Sequence, residues 1–181
     1  MLETNPSCEN NNPEKTLGKM NLVSDRPELR TQWLPPGELR PALRSISYTW
    51  FRHLSSPPSE HLGVIRRGVW EAECGLQPFP DVAVTYRGNV AAGVLSGYRM
   101  YGKKYFFVEN LALHPSSEMG HGYRMLIAQA LITTAMDLSV DMGCYGWLAV
   151  TPDDDSKVFW RSLGFYKYDE FTYRKMGYFQ S

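Results

Sequence analysis

Glu109 is the residue with the plainest chemical promise. It stands inside an apolar run, Tyr105 to Leu113, and strand alternation puts Phe107 and Leu111 on its face. A carboxylate held among apolar side chains is harder to ionise, so its pKa rises toward the range where a base works near neutral pH. The same run leads into a loop with two glycines, Gly120-His121-Gly122, and an apolar segment follows at once. A strand, a glycine turn and a helix N-terminus together aim backbone N–H groups at one spot, where the helix adds partial positive charge. The amides of Met119, Gly120, His121, Gly122 and Tyr123 are the donors in that reading, and a pyrophosphate suits them. A tight connection without a ligand has the same local sequence. His114 precedes the loop, and His121 lies between its glycines as a surface residue. Asp153-Asp154-Asp155 opens a helix, where capping and dipole compensation explain such a run.

These residues need elements to hold them. The first 20 residues are polar and Asn-rich, and read as a flexible tail over 1–19, with a short strand at Met20–Ser24. A single domain covers 20–181. Order begins after Leu34-Pro35-Pro36-Gly37, where Leu39, Leu43, Ile46, Trp50 and Leu54 form a helical stripe. Ser55 to Ser59 breaks it, and Leu62, Ile65 and Val69 mark a second helix ending before Gly75. Between Arg26 and Trp70 seven arginines face three acids, which a solvated helix face explains. Strands follow from Asp81, over Val90–Leu95 and over Tyr105–Leu113, the last apolar on both faces and therefore central. Residues 123–138 form a buried helix. Gly143 starts a strand, Cys144 to Val150. Thr151-Pro152-Asp153 starts a helix that Gly164 stops. Two strands, near Phe165–Tyr168 and Phe171–Gly177, end the chain. The strand–helix–strand unit in the middle predicts a parallel pair within a mostly antiparallel sheet, an α/β (α+β) fold.

Composition narrows the function. The chain of 181 residues carries 19 Lys+Arg against 19 Asp+Glu, which argues against a general binder of nucleic-acid backbones. Hydrophobic residues at 43% suit a domain with a full core, and no run of about 18 apolar residues signals a membrane span. Met1 to Asn12 lacks the basic-then-apolar layout of a signal peptide. The 3 cysteines, Cys8, Cys74 and Cys144, lie too far apart for a zinc knuckle or a disulfide framework. The expectation is a cytoplasmic protein without a metal.

Glu109-Asn110-Leu111-Ala112-Leu113-His114-Pro115, followed by Gly120-His121-Gly122-Tyr123-Arg124-Met125-Leu126, resembles the acetyl-CoA loop of the GCN5-related N-acetyltransferase (GNAT) superfamily. Val158-Phe159-Trp160-Arg161-Ser162-Leu163-Gly164-Phe165 resembles its later helix. The resemblance covers about residues 38–178. It implies a sheet whose parallel pair splays at the acyl-CoA site, and direct transfer of an acetyl group from acetyl-CoA to a primary amine. It implies that Leu111, Ala112, Leu113, Met119, Gly120, His121, Gly122, Tyr123 and Trp160 border the co-substrate. Glu109 relays the amine proton in this reading, or else pairs with a nearby Arg or Lys. The Leu113 amide is the expected oxyanion donor. The family commonly has a Tyr where this chain has Trp160, for which core packing is the plainer role. Tyr166, Tyr168 or Tyr173 would then supply the acid, Tyr166 being the assigned one, or none is needed. Tyr98, Tyr101 and Tyr105 could line an acceptor groove.

The chain departs from the family in having Ser117 and Glu118 where Arg or Gln usually precedes the glycines. With Trp160, this favours an alternative: a non-catalytic module of the same fold that responds to acyl-CoA or binds a protein. A homodimer is a further expectation, with the strand near 171–178 as a pairing edge.

Overall fold

Periodicity accounts for most of the elements. In the computed structural model, which describes residues 28–52, 60–116 and 120–177, helix α1 (Leu39–Arg52) buries Leu39, Leu43, Ile46 and Trp50. Helix α2 (Glu60–Glu73) buries Leu62, Ile65, Val69 and Ala72. The Trp50 indole also donates to the Ala91 carbonyl at 2.8 Å, which ties α1 to the sheet. Helix α3 (His121–Asp141) is apolar nearly all round, and helix α4 (Lys157–Ser162) is short. The strands are β1 (Leu29–Trp33), β2 (Asp81–Arg87), β3 (Val90–Met100), β4 (Tyr105–Leu113), β5 (Leu148–Val150), β6 (Tyr166–Lys167) and β7 (Tyr173–Lys175).

They form one seven-stranded sheet in the order β1-β2-β3-β4-β5-β7-β6. Among the described residues only β4 and β5 pair in parallel; the other pairs are antiparallel. Both faces are covered. α1 and α2 pack with Val82, Val84, Val94 and Ala112 on one side. On the other, α3 packs with Leu95, Phe106, Val108, Leu111 and Leu148. This double burial is why β3 and β4 read as near-continuous apolar runs.

Two irregularities shape the middle of the sheet. The β3–β4 register shifts so that Gly97 faces Val108 and Ser96 faces Asn110, leaving Glu109 as the extra, bulged residue. Gly97 has no alternative there, since a Cβ would stand 2.4 Å from the Phe107 carbonyl oxygen. The parallel ladder is also brief. It joins Phe106 to Leu148 and Phe107 to Ala149, and then β4 and β5 part.

Several expectations are corrected. β1 precedes the Leu34-Pro35-Pro36-Gly37 segment, so order begins earlier than predicted among the described residues. No strand starts at Cys144. Gly143, Tyr145 and Gly146 have φ of 73°, 54° and 77°, which breaks extension until Leu148. α4 begins at Lys157 rather than at Thr151, after a turn in which Asp153 accepts the Ser156 amide at 2.8 Å. β7 is not a free edge, because β5 and β6 pair with its two sides. The bulge also breaks the alternation assumed for β4. Leu111 packs with Phe106 and Val108 rather than sharing the face of Phe107 and Glu109. The predicted tail and the strand at Met20–Ser24 lie outside the described residues. Among those residues no helix is long and apolar enough to cross a membrane.

Candidate active site

The parting of β4 from β5 opens a cleft of about 580 Å³. Glu109, Leu111 and Leu113 line one wall, Val150 and Thr151 the other, and Phe159 and Trp160 of α4 close its side. Arg124, on the first turns of α3, stands at one end. Another cleft, about 490 Å³, lies between α1 and α2. Arginines dominate its lining, which includes no base or nucleophile, so the β4–β5 cleft is the better candidate.

Glu109 sits at the bulge and is half-buried. Burial pushes its pKa up; Asn110 and Ser96, which hydrogen-bond the carboxylate, hold it down in part. The Ser96 hydroxyl lies 3.5 Å from Oε2, so its contribution is weak. Tyr98 stands on the same side, its hydroxyl buried and without a well-formed hydrogen bond. Its pKa is pushed up to about 12, first by burial and then by the nearby Glu109 and Glu71 carboxylates.

The bulge decides where the backbone donors point. The Phe106 amide donates toward β5, to the Trp147 carbonyl at 3.0 Å. Past the bulge the His114 amide donates to Ala92 on β3 at 2.9 Å. Antiparallel alternation then turns the amides of Leu111 and Leu113 away from β3, toward the edge that β5 has left. By that alternation two N–H groups outside the β3–β4 ladder face the cleft beside Glu109. Ala112 points its side chain into the core beneath α1 and α2, so it lends the cleft no side chain.

At the helix end, the amides of His121 and Gly122 belong to the first turn of α3, ahead of its i→i−4 ladder. The Tyr123 amide donates to the Gly120 carbonyl at 2.9 Å. Gly120 is the N-cap, and His121 is exposed. Met119, Ser117 and Glu118 lie outside the described residues. Arg124 was not singled out from the sequence. Its place two residues beyond the second glycine, on the first turns of a helix, is the signal that would have found it.

The other expected residues divide. Trp160 is 6% exposed and packs edge-on against Phe159 and Phe165, so it is both core and cleft wall. Tyr166 is 40% exposed on β6, the outermost strand, and does not line the cleft. β7 separates β6 from β5, which is the physical reason. Tyr168 is exposed, and Tyr173 is buried with its hydroxyl accepting from Arg161 at 3.0 Å. His114 packs edge-on to Trp50 and accepts the Ser116 amide at 3.1 Å, a structural role. Among the described residues no group of His, Cys, Asp or Glu could hold a metal.

No protein-family model matches the sequence, and no curated protein matches it. Solved structures do match in fold. An N-acetyltransferase, PaiA, from Thermoplasma acidophilum in complex with coenzyme A superposes with a TM-score of 0.51 at 14% identity, covering 82% of this chain and 98% of that one. Tetrahymena GCN5 gives 0.54 at 14% identity, covering 84% and 99%. AtaTR bound with AcCoA gives 0.51 at 16% identity, covering 81% and 92%. The chain has the GCN5-related N-acetyltransferase fold.

Proposed function

We propose that the protein is an N-acetyltransferase that moves an acetyl group from acetyl-CoA to a primary amine by direct transfer. The observation that carries this reading is the bulge at Glu109. It sets a carboxylate of raised pKa and the amides of Leu111 and Leu113 on the edge where β4 and β5 part. The fold shared with acetyltransferases solved with coenzyme A or AcCoA supports it.

The residues of the cleft fit the donor molecule. The first-turn amides of His121 and Gly122, with Arg124, suit a pyrophosphate. The amides of Leu111 and Leu113 suit carbonyl oxygens laid along β4. Glu60 and Asp153 also border the cleft, and Asp153 is spent on the Ser156 hydroxyl and amide, which hold its pKa down. Acetyl-CoA, when bound, supplies a thioester carbonyl open to attack.

An alkylamine, with a pKa of about 10.4, arrives as the ammonium, which has no lone pair. Glu109 takes its first proton and so frees the nitrogen to attack. The C–N bond forms and the C–S bond breaks, and the second proton goes to solvent or to the departing thiolate. The Leu111 or Leu113 amide donates to the carbonyl oxygen as negative charge develops there. A thiol with a pKa of about 8.5 leaves as the thiolate without help, so the reaction needs no side-chain acid. This agrees with the positions of Tyr166, Tyr168 and Tyr173.

Thermal unfolding with acetyl-CoA tests the donor site. At a hundredfold excess over Kd the midpoint should rise by about 5–10 °C. Gly122→Glu should lose the shift, since it places a carboxylate among the phosphate donors. A Cβ at Gly122 meets none of the described residues within 4 Å, so the substitution opens no steric clash there. No shift in the wild type would overturn the reading.

A further inference from the structure

Glu109 borders two cavities. The second, of about 520 Å³, lies between the loop that follows α2 and the far half of β3. Pro78, Phe79 and Met100 give it apolar walls, and Tyr98 and Glu109 line it as well. Arg99 and Asp81 also border it, but they hold each other by two bonds of 2.8 and 2.9 Å, so their charges cancel. Glu109 is left as its uncompensated charge, and the Glu71 carboxylate on α2 lies close enough to act on both Glu109 and Tyr98. The cavity is therefore apolar along its walls and negative at one end.

Its polar end also has a hydroxyl. Tyr98 buries its hydroxyl beside the Glu109 carboxylate without a well-formed hydrogen bond, a costly arrangement that a ligand donor or acceptor would relieve. Helix α2 keeps room above it. Gln77 Nε2 donates to the Gly68 carbonyl at 2.8 Å and holds the loop against the helix. A Cβ on Gly68 would stand 3.3 Å from that nitrogen, 3.9 Å from the Tyr98 hydroxyl and 4.0 Å from Glu109 Oε2. A larger side chain at 68 would fill the space over the Tyr98–Glu109 pair.

We propose that this second cavity receives the acceptor, a cationic primary amine on a short apolar or aromatic body, with its nitrogen at Glu109 and its body against Phe79 and Met100. The proposal rests on the acetyl-transfer reading and adds the acceptor class to it. The donor and the acceptor would then meet at one carboxylate from two separate cavities. An amine that carries a carboxylate next to its nitrogen is disfavoured, because it sets that group against Glu109 and Glu71.

Calorimetric titration of phenethylamine and of phenylalanine, with and without millimolar CoA, tests this. Phe79→Arg is the variant, because Phe79 is 49% exposed and the change adds a repelling charge without opening the core. Phenethylamine should bind the wild type, at least tenfold more weakly to Phe79→Arg, and at least tenfold more tightly than phenylalanine. Absence of phenethylamine binding in both conditions, an unchanged affinity in Phe79→Arg, or equal binding of phenylalanine would each overturn the assignment. The acetyl-CoA melting shift, measured on the same two proteins, separates the two claims. A shift that persists while amine binding fails removes the acceptor site alone. Amine binding without any shift keeps the amine site and removes the donor reading.

Discussion

The Ser96 hydroxyl approaches Glu109 Oε2 at 3.5 Å across the bulge that joins β3 to β4. With Asn110, it favours the ionised carboxylate against burial. The base works when ionised, so activity should rise with pH through a limb above the ordinary carboxylate range. Ser96→Ala should move that limb to higher pH, with a smaller effect on the plateau. A profile of kcat/KM against pH measures it, and a limb that stays in place would remove Ser96 from the account.

Glu109→Gln should separate function from stability. Its folded pKa is raised, so this group's contribution to stability is full below the unfolded pKa and falls as pH rises through the folded one. The neutral glutamine escapes that loss. The variant should melt higher than the wild type at pH 8, and the gap should close as pH falls below the unfolded carboxylate pKa of about 4.3.

Tyr98→Phe removes a buried hydroxyl that has no well-formed hydrogen bond. The fold should gain about 1 kcal/mol or stay unchanged, a rise of roughly 2–4 °C at most. Amine affinity should fall in the same protein. A loss of stability would mean that the hydroxyl is bonded in solution.

Gly97→Ala should be among the most damaging small changes. Its methyl group would stand 2.4 Å from the Phe107 carbonyl oxygen and 2.5 Å from the Phe106 ring. A cost of about 3 kcal/mol is expected, a fall of roughly 6–12 °C in Tm. Because the bulge aims the Leu111 and Leu113 amides, kcat should fall further than lost stability explains.

Much of this was legible in the sequence for local reasons. β4 runs from Tyr105 to Leu113 as its apolar composition indicates, and the stripe from Leu39 to Trp50 is α1. What was missed depends on partners. β1 shows only a half-buried alternation of Leu29, Thr31 and Trp33, too short to stand out. The bulge is a property of the β3–β4 register, so neither strand reveals it alone, and the faces of Leu111 and Ala112 follow from it. Tyr166 looked close to the site in chain position, but the return of β7 beside β5 carries it to the sheet edge. Tyr98 reaches Glu109 only because β3 continues to Met100 rather than ending at Leu95.

The most direct test of the central claim is thiol release from acetyl-CoA with phenethylamine at pH 8, wild type against Glu109→Gln. The melting shift with acetyl-CoA serves as the binding control. The account predicts that both proteins bind acetyl-CoA and that the variant's kcat falls by about 10²–10⁴. Equal turnover by the two proteins, with acetyl-CoA bound in both, would contradict it.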